Sequence, residues 1–484
     1  MKKFIVHSPQ SIVKNIFLSV FSAVLLSLPF SSGKLWITSW FGFVPLFFAL
    51  RNKSRLQAFF LAYICGVVFW SVTIYWLVHV TFIGTFVLIL YLALYFGVFG
   101  LLLSTTNYEL RTTNCLFVPS TWVLLEYLRS YLFTGFPWAL LGLSQYKNLP
   151  VIQIADITGA WGVSFLVMMM NVWLYQVLGS RFLVLGKTGI KNCIFVLLFL
   201  ALALGYGYYK LNLTPRTQHQ ESIKISVIQG NIPQAIKWDW RARNFILNNY
   251  KELTSESAKG SPALIIWPEA SVPGVFGEDD AVFGQVFSLV RGLKIDLLIG
   301  TVSWRSGNYF NSALLIDKTG KPGEIYNKLH LVPFGEFVPF KKTFPFLQAI
   351  APIGDIQPGR EFAIFQQPCN FGVLICFEDL FPELSREFVK RGAKFLVNIT
   401  NDAWYKEGSA PYQHFAASIF RSVENRVYLA RAANTGISGF IDPAGRILSV
   451  VRNQGKEIFV QGYRSQSICL AAGKRTIYNR YGDF

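Results

Sequence analysis

The sequence predicts a multi-span α-helical membrane domain followed by a layered α/β domain. Three observations carry that prediction. The chain is 52% hydrophobic and 16% aromatic but only 15% charged, against about 25% charged for an ordinary soluble domain. Its mean hydropathy is +0.38. Residues 1–210 are nearly continuous hydrophobic segments, whereas from about residue 222 short β-rich runs alternate with amphipathic stretches, the grammar of strands and helices in packed layers. At 484 residues the chain exceeds one ordinary core, so at least two units are expected.

A crossing helix needs about 20 apolar residues. Seven stretches are read as spans: 14–32, 35–50, 57–79, 82–104, 113–133, 161–179 and 190–209, the second of them short. Lys2 and Lys3 lend the first the look of a signal peptide. Hydrophobic segments follow at once and no clear small-x-small cleavage site is present, so it is read as an uncleaved span. With the N-terminus inside, the inner segments carry Lys2, Lys3, Lys14, Arg51, Lys53, Arg55, Arg111, Arg181, Lys187 and Lys191, and the outer loops only Lys34 and Lys147. Ten basic residues against two is a positive-inside bias, and seven crossings deliver everything after Lys210 to the outer side. Arg129 and Glu126 are costly within a span and should face a cavity or each other, as a structural pair or as a headgroup contact.

Residues 211–221 read as a linker and 222–466 as the α/β domain. Strands are expected at 223–230, 263–269, 296–303, 312–317, 372–376 and 394–400, helices near 239–258, 279–292, 380–391 and 411–427. Residues 467–484 form a tail whose one apolar run, "SICLAAG", is too short to cross.

The totals also exclude. Net charge is +18, yet there is no dense Lys/Arg block and no nucleic-acid motif, so the basicity points to anionic lipid and to topology. Six scattered cysteines contain no CxxC and make no disulfide framework. The five histidines show no ligand spacing, and neither a metal nor a cofactor is expected.

Three strand ends carry candidate chemistry. "GVLIC" ends at Cys376, followed by Phe377, Glu378 and Asp379. "ALIIWPEAS" places Glu269 just past a strand. "GEIYNKLHLVPFGEFVP" places Lys328 and Glu336 around a Pro- and Gly-marked loop. Taken singly, Cys376 reads as a small buried hydrophobe, Glu269 as a turn residue and Lys328 as a solvated charge. Strand ends in an α/β domain converge on one edge, so the three can meet. A free thiol is only a few per cent ionised at neutral pH. A carboxylate would take its proton and an ammonium would favour the anion. The backbone N–H after the thiol, at a helix start, lacks an intrahelical partner and can stabilise an oxyanion.

At these residues the sequence resembles a known family. "WPE", "YNKLHLVPFGEFVP", "GVLICFED" and "RSVENRVYLARAANTGISGFIDPAGR" are similar to the nitrilase-type domain of the apolipoprotein N-acyltransferase family, and "LLEYLRSYLFTGFPWALLGLSQ" (124–145) to its membrane signature. The resemblance covers nearly the whole chain. It implies a nitrilase-type α-β-β-α sandwich on the outer, periplasmic side of the bacterial inner membrane. It implies Glu269 as general base, Lys328 as charge stabiliser, Cys376 as nucleophile, and Glu336, Phe377 and Glu378 in support. Trp238 matches a tryptophan near the substrate. The implied reaction moves an acyl chain from a membrane phospholipid, through a Cys376 thioester, to the N-terminal amine of a diacylglyceryl-cysteine apolipoprotein. No nucleic acid or cofactor takes part, and a monomer is expected.

Two departures are visible. Phe377 stands where the family often has Tyr, which leaves the backbone N–H intact. The usual final span is absent after "TIYNRYGDF". The loop 334–353, with five phenylalanines, Lys341 and Lys342, suits a membrane interface or a folded-in hydrophobic loop. The alternative activity is that of a membrane-tethered nitrilase-type amidase acting on a small amide or nitrile. A non-catalytic descendant would be expected to have lost the nucleophile or base, and Glu269, Lys328 and Cys376 are all present.

Overall fold

The computed structural model describes residues 9–104, 114–179, 187–213, 221–338, 356–470 and 475–483. It divides into two compact units, Met1–Asn212 and Leu213–Phe484.

Among the described residues of the first unit, five helices are long and apolar enough to cross a membrane: Gln10–Ser31, Arg55–Thr73, Phe82–Ser104, Ala155–Gly179 and Cys193–Leu213. Large apolar side chains such as Phe82, Ile83, Phe86 and Val87 are exposed along them, as a lipid-facing surface requires. The expected span at 35–50 is broken into a 3₁₀ turn, Trp36–Trp40, and a short helix, Val44–Leu50. The freed backbone groups are satisfied by neighbouring segments. Phe43 N donates to Asn171 Oδ1 at 2.8 Å, and Asn171 Nδ2 donates to Ser39 O at 2.8 Å. Trp40 Nε1 donates to Gln145 Oε1 at 2.8 Å.

The span expected at 113–133 is the helix Asn114–Tyr131. Its two buried charges serve the irregular backbone that follows. Glu126 Oε1 accepts from Leu141 N at 2.7 Å. Arg129 Nη1 donates to Phe136 O at 2.7 Å and Trp138 O at 2.8 Å, and the guanidinium stacks over Trp70 at 4.9 Å. Both are structural ties to the 136–141 backbone, where unpaired polar groups are costly.

The second unit contains twelve strands among its described residues: β1 (Ser222–Gln229), β2 (Leu264–Ile266), β3 (Val275–Phe276), β4 (Asp296–Arg305), β5 (Asn308–Ile316), β6 (Pro322–Asn327), β7 (Phe371–Ile375), β8 (Phe395–Thr400), β9 (Tyr428–Ala433), β10 (Gly439–Ile441), β11 (Ile447–Val450) and β12 (Gly462–Cys469). One sheet runs β12-β1-β2-β4-β5-β6 with β3 beside β4; the other runs β11-β10-β9-β8-β7. The sheets meet through β1 against β9 and β5 against β7. Helices Arg243–Ala258 and Asp280–Leu293 bury Ile246, Leu247, Tyr250, Phe283 and Val286 on the outside of the first sheet. Helices Pro382–Lys390 and Ala410–Asn425 cover the second. The result is an α-β-β-α sandwich. Strands buried on both faces explain why apolar runs such as Phe371–Ile375 lack alternation.

Six of the twelve strands, β1, β2, β4, β5, β7 and β8, match expected ones, β3, β6 and β9–β12 were not expected, and the remaining differences are local. The strand expected at 263–269 ends at Ile266, because Pro268 supplies no N–H and the chain turns away. β12 runs to Cys469, past the expected boundary at 466. The tail then docks on the sandwich: Tyr478 is buried, Thr476 Oγ1 donates to Glu424 O at 2.6 Å, and Asn479 Nδ2 donates to Asn425 Oδ1 at 2.6 Å. Of the aromatic loop 334–353, only residues 334–338 lie among the described residues.

Candidate active site

β7 ends at Ile375, and a 3₁₀ turn Cys376–Leu380 leads into the helix Pro382–Lys390. Cys376 has φ +53°, a conformation costly for a side chain with a Cβ. Such a turn lifts the thiol off the strand end, as nucleophile elbows do. It is held from several directions. Ile375 N donates to Glu378 Oε2 at 2.7 Å. Glu378 Oε1 accepts from Tyr326 Oη at 2.9 Å, Leu329 N at 2.7 Å and His330 N at 3.1 Å. One buried carboxylate thus ties the Cys376 turn to the segment just after Lys328. Burial pushes the Glu378 carboxyl up to about 7, against the donors and Lys328.

Glu269 follows β2. Pro268 O accepts from Gly300 N at 3.2 Å, and Ser271 N donates to Gly300 O at 2.8 Å, which ties the loop to β4. A Cβ at Gly300 would stand 2.4 Å from Pro268 O and 2.5 Å from Glu269 Cα, so only glycine permits this approach. Lys328 follows β6 and is buried. Its Nζ lies 2.8 Å from Glu336 Oε2 and 3.8 Å from Glu269 Oε1. Asn311 Nδ2, from β5, reaches both carboxylates, at 2.7 Å to Glu269 Oε1 and 2.6 Å to Glu336 Oε1. Val332 N donates to Glu336 Oε2 at 2.7 Å.

The structure therefore brings Glu269, Lys328, Glu336 and Cys376 to one edge. The thiol lies in the field of Glu269, Lys328 and Asp402. Burial and the two carboxylates raise the Cys376 thiol, outweighing Lys328 and a bond to Thr400. Those surroundings favour the protonated thiol, so attack calls for a neighbour that takes the proton. Burial alone would lower the Lys328 ammonium, but Glu336, Glu269 and Cys376 raise it above its ordinary value, so it stays charged.

Several residues were not anticipated. Lys237 is buried, and its Nζ donates to Glu269 O at 3.0 Å. Burial lowers it to about 8, against Glu269 and Cys376. Trp238, beside it, is exposed. Behind Cys376 lies a wholly buried cluster of Asp379, Asn398, Asp402, His414, Ser418 and Arg431. Asn311 had a faint signal, a polar residue inside an apolar strand. The others had none beyond their type.

A family model for the apolipoprotein N-acyltransferase N-terminal domain matches residues 22–173, and one for carbon-nitrogen hydrolases matches 224–465. A relative from Geobacter metallireducens named apolipoprotein N-acyltransferase is 37% identical over 97% of this chain and 92% of its own length. The chain belongs to the apolipoprotein N-acyltransferase family. A second member, from Chlorobaculum tepidum, is 30% identical over 90% of this chain and 87% of its own length. Among solved structures, an amidase of the nitrilase superfamily from Nesterenkonia is 20% identical and covers 55% of this chain and 95% of that one, with a TM-score of 0.41. Membership places an acyltransferase family's membrane domain before its carbon-nitrogen hydrolase domain, and the five apolar helices accord with a membrane protein.

Proposed function

We infer that this chain transfers an acyl chain from a membrane phospholipid to the N-terminal amine of diacylated apolipoproteins. The observation that carries the reading is the likeness over 97% of the chain to a relative named for that activity.

The site supports two half-reactions. Cys376 passes its proton to Glu269 as sulfur attacks the ester carbonyl, giving a tetrahedral oxyanion beside Lys328 and the Phe377 N–H. The C–O bond breaks, the lysophospholipid oxygen takes the proton from Glu269, and a thioester remains. The lipoprotein amine then attacks the thioester and gives a proton to Glu269. The thiolate leaves and recovers that proton, and the product is an amide. Glu336 holds Lys328, Asn311 holds both carboxylates, and Glu378 fixes the turn. Exposed Trp238 lies beside Lys237 at the edge, where an acyl donor would enter. In this reading seven spans place the sandwich on the periplasmic side of the inner membrane and the enzyme acts as a monomer. Substrates and site confined to one thin layer meet at raised effective concentration.

The test is intact-protein mass spectrometry after incubation with phospholipid vesicles, with Cys376→Ala as control. A hydroxylamine-sensitive mass gain of one acyl chain, absent in the control, is expected. No adduct on a folded chain that hydrolyses small amides would establish the amidase activity instead.

A further inference from the structure

The peptide that joins Cys376 to Phe377 is gripped from behind. Its carbonyl oxygen accepts from Asn398 Nδ2 at 3.3 Å and lies 3.3 Å from His414 Nε2. A trans peptide is planar, with its C=O and N–H pointing in opposite directions. A carbonyl held towards β8 and the helix Ala410–Asn425 therefore turns the Phe377 N–H to the other side. We propose that His414 and Asn398 are positioning residues that aim the Phe377 N–H as an oxyanion donor. The inference rests on the acyl transfer proposed above.

The charges around His414 fit that task. Its Nδ1 faces Asp402 Oδ1 at 2.9 Å, and its Nε2 also faces Asp379 Oδ1 at 2.8 Å. All three neighbours are acceptors, so both ring nitrogens donate and the ring is an imidazolium. Arg431 completes the balance. Its Nη1 donates to Asp379 Oδ2 at 2.9 Å, to Asn398 Oδ1 at 2.6 Å and to Ser418 Oγ at 2.9 Å. Its Nη2 reaches Asp402 Oδ2 at 3.4 Å. Two cations face two carboxylates, all of them fully buried. Arg431 also fixes the amide of Asn398: its oxygen accepts from the guanidinium, so its nitrogen must face the carbonyls of Leu374 and Cys376.

A rigid, charge-balanced cluster is costly to bury and gains the thiol nothing directly, since Asp402 raises its pKa. What it does supply is a fixed orientation for one peptide in a strained turn. An oxyanion donor must be aimed before the reaction, because its value lies in not reorganising.

The test separates two reactions of the same sulfur. Acylation by a p-nitrophenyl ester passes through an oxyanion; alkylation by iodoacetamide, at a tetrahedral carbon, does not. His414→Gln and Asn398→Ala are compared with the parent chain, with Cys376 modification read by peptide mass spectrometry and folding by thermal melting. Acylation is expected to fall roughly 30- to 100-fold, less than the roughly 100- to 1000-fold cost of removing one oxyanion donor outright because the donor is misaimed and not lost, while alkylation changes less than about threefold. Equal losses in both reactions, or unchanged acylation in either folded variant, would overturn the proposal; if His414→Gln does not fold, Asn398→Ala decides. Failure of the parent to take an acyl chain from phospholipid, with ester acylation intact, would count against the proposed donor alone.

Discussion

At Lys237 an ammonium is buried while its neighbour Trp238 is 53% exposed. Hydrophobicity alone would place them the other way round. Burying a charge costs several kcal/mol, of the order set by desolvation, so something must hold it there. Its contact is the Glu269 carbonyl, at a loop where the next residue, Ala270, has φ +45°. Lys237 faces Glu269 and Cys376; around Cys376 stand also Lys328, Asp402 and Tyr405. Replacing Lys237 with Met removes a positive charge that favours both anions. Alkylation of Cys376 by iodoacetamide below about pH 8 should then slow by roughly tenfold, the effect of about one pKa unit from one nearby charge. Because Lys237 itself loses its proton at about 8, the parent's advantage is present below that pH and fades above it. A variant profile that overlays the parent's would show that Lys237 only fills space. Glu378 makes a second case. It satisfies three backbone N–H groups and the Tyr326 hydroxyl, so Glu378→Ala should leave buried donors unpaired, each at about 1–3 kcal/mol. The expected result is a large drop in melting temperature with loss of acylation.

Elements bring these residues together, and their tolerances can be tested. β4 approaches the Glu269 loop through Gly300. Gly300→Ala should displace Glu269 and cut acylation at least tenfold, while the thiol still alkylates. The helix Ala410–Asn425 carries His414 into its buried carboxylate pair. Burial alone would lower His414, but Asp379 and Asp402 raise it from 6.5 to about 9, with Arg431 opposing. That rise is worth roughly 3 kcal/mol at about 1.4 kcal/mol per unit. A raised histidine stabilises fully below its unfolded value and loses that contribution as pH climbs through about 9. The melting-temperature gap between the parent and His414→Gln should therefore be widest near pH 6 and close towards pH 10. Much of this framework is legible from the chain. Strands β2, β4, β7 and β8 stand out as largely apolar runs buried on both faces, and Glu269 and Cys376 each sit just past such a run, whereas Lys328 follows the polar, half-exposed β6. Lys237, Asn311, His414 and Arg431 do not stand out. A buried polar residue is recognised by its partners, which lie up to 239 positions away in bonds such as Ser226 to Ser465, and one sequence carries no record of those pairings.

For the whole molecule, the side of the membrane on which the sandwich stands depends on how many segments cross. Among the described residues, five helices meet the length and apolarity of a span. The two remaining segments are the broken Trp36–Leu50 and the charge-bearing Asn114–Tyr131. If both cross, or neither does, the count is odd and the sandwich is outside when the N-terminus is inside. If only one crosses, it is inside. Odd counts differ elsewhere: with seven crossings the segments containing Arg51, Lys53, Arg55 and Arg111 are inside, and with five they are outside. Four basic residues moved outward would erase the bias on which orientation rests, so charge favours seven. The break at 41–43 does not forbid crossing, because the Asn171 and Gln145 side chains already bond backbone groups beside it, Phe43 N, Ser39 O and Trp36 O, as a membrane interior requires. Alkaline phosphatase fusions, active only outside, decide the matter. A fusion after residue 216 should be active, and fusions after residues 53 and 110 inactive. Activity at 53 and 110 together with activity at 216 would mean five crossings with the sandwich still outside; inactivity at 216 would put the sandwich on the cytoplasmic side and remove lipoprotein amines displayed on the outer face from its reach.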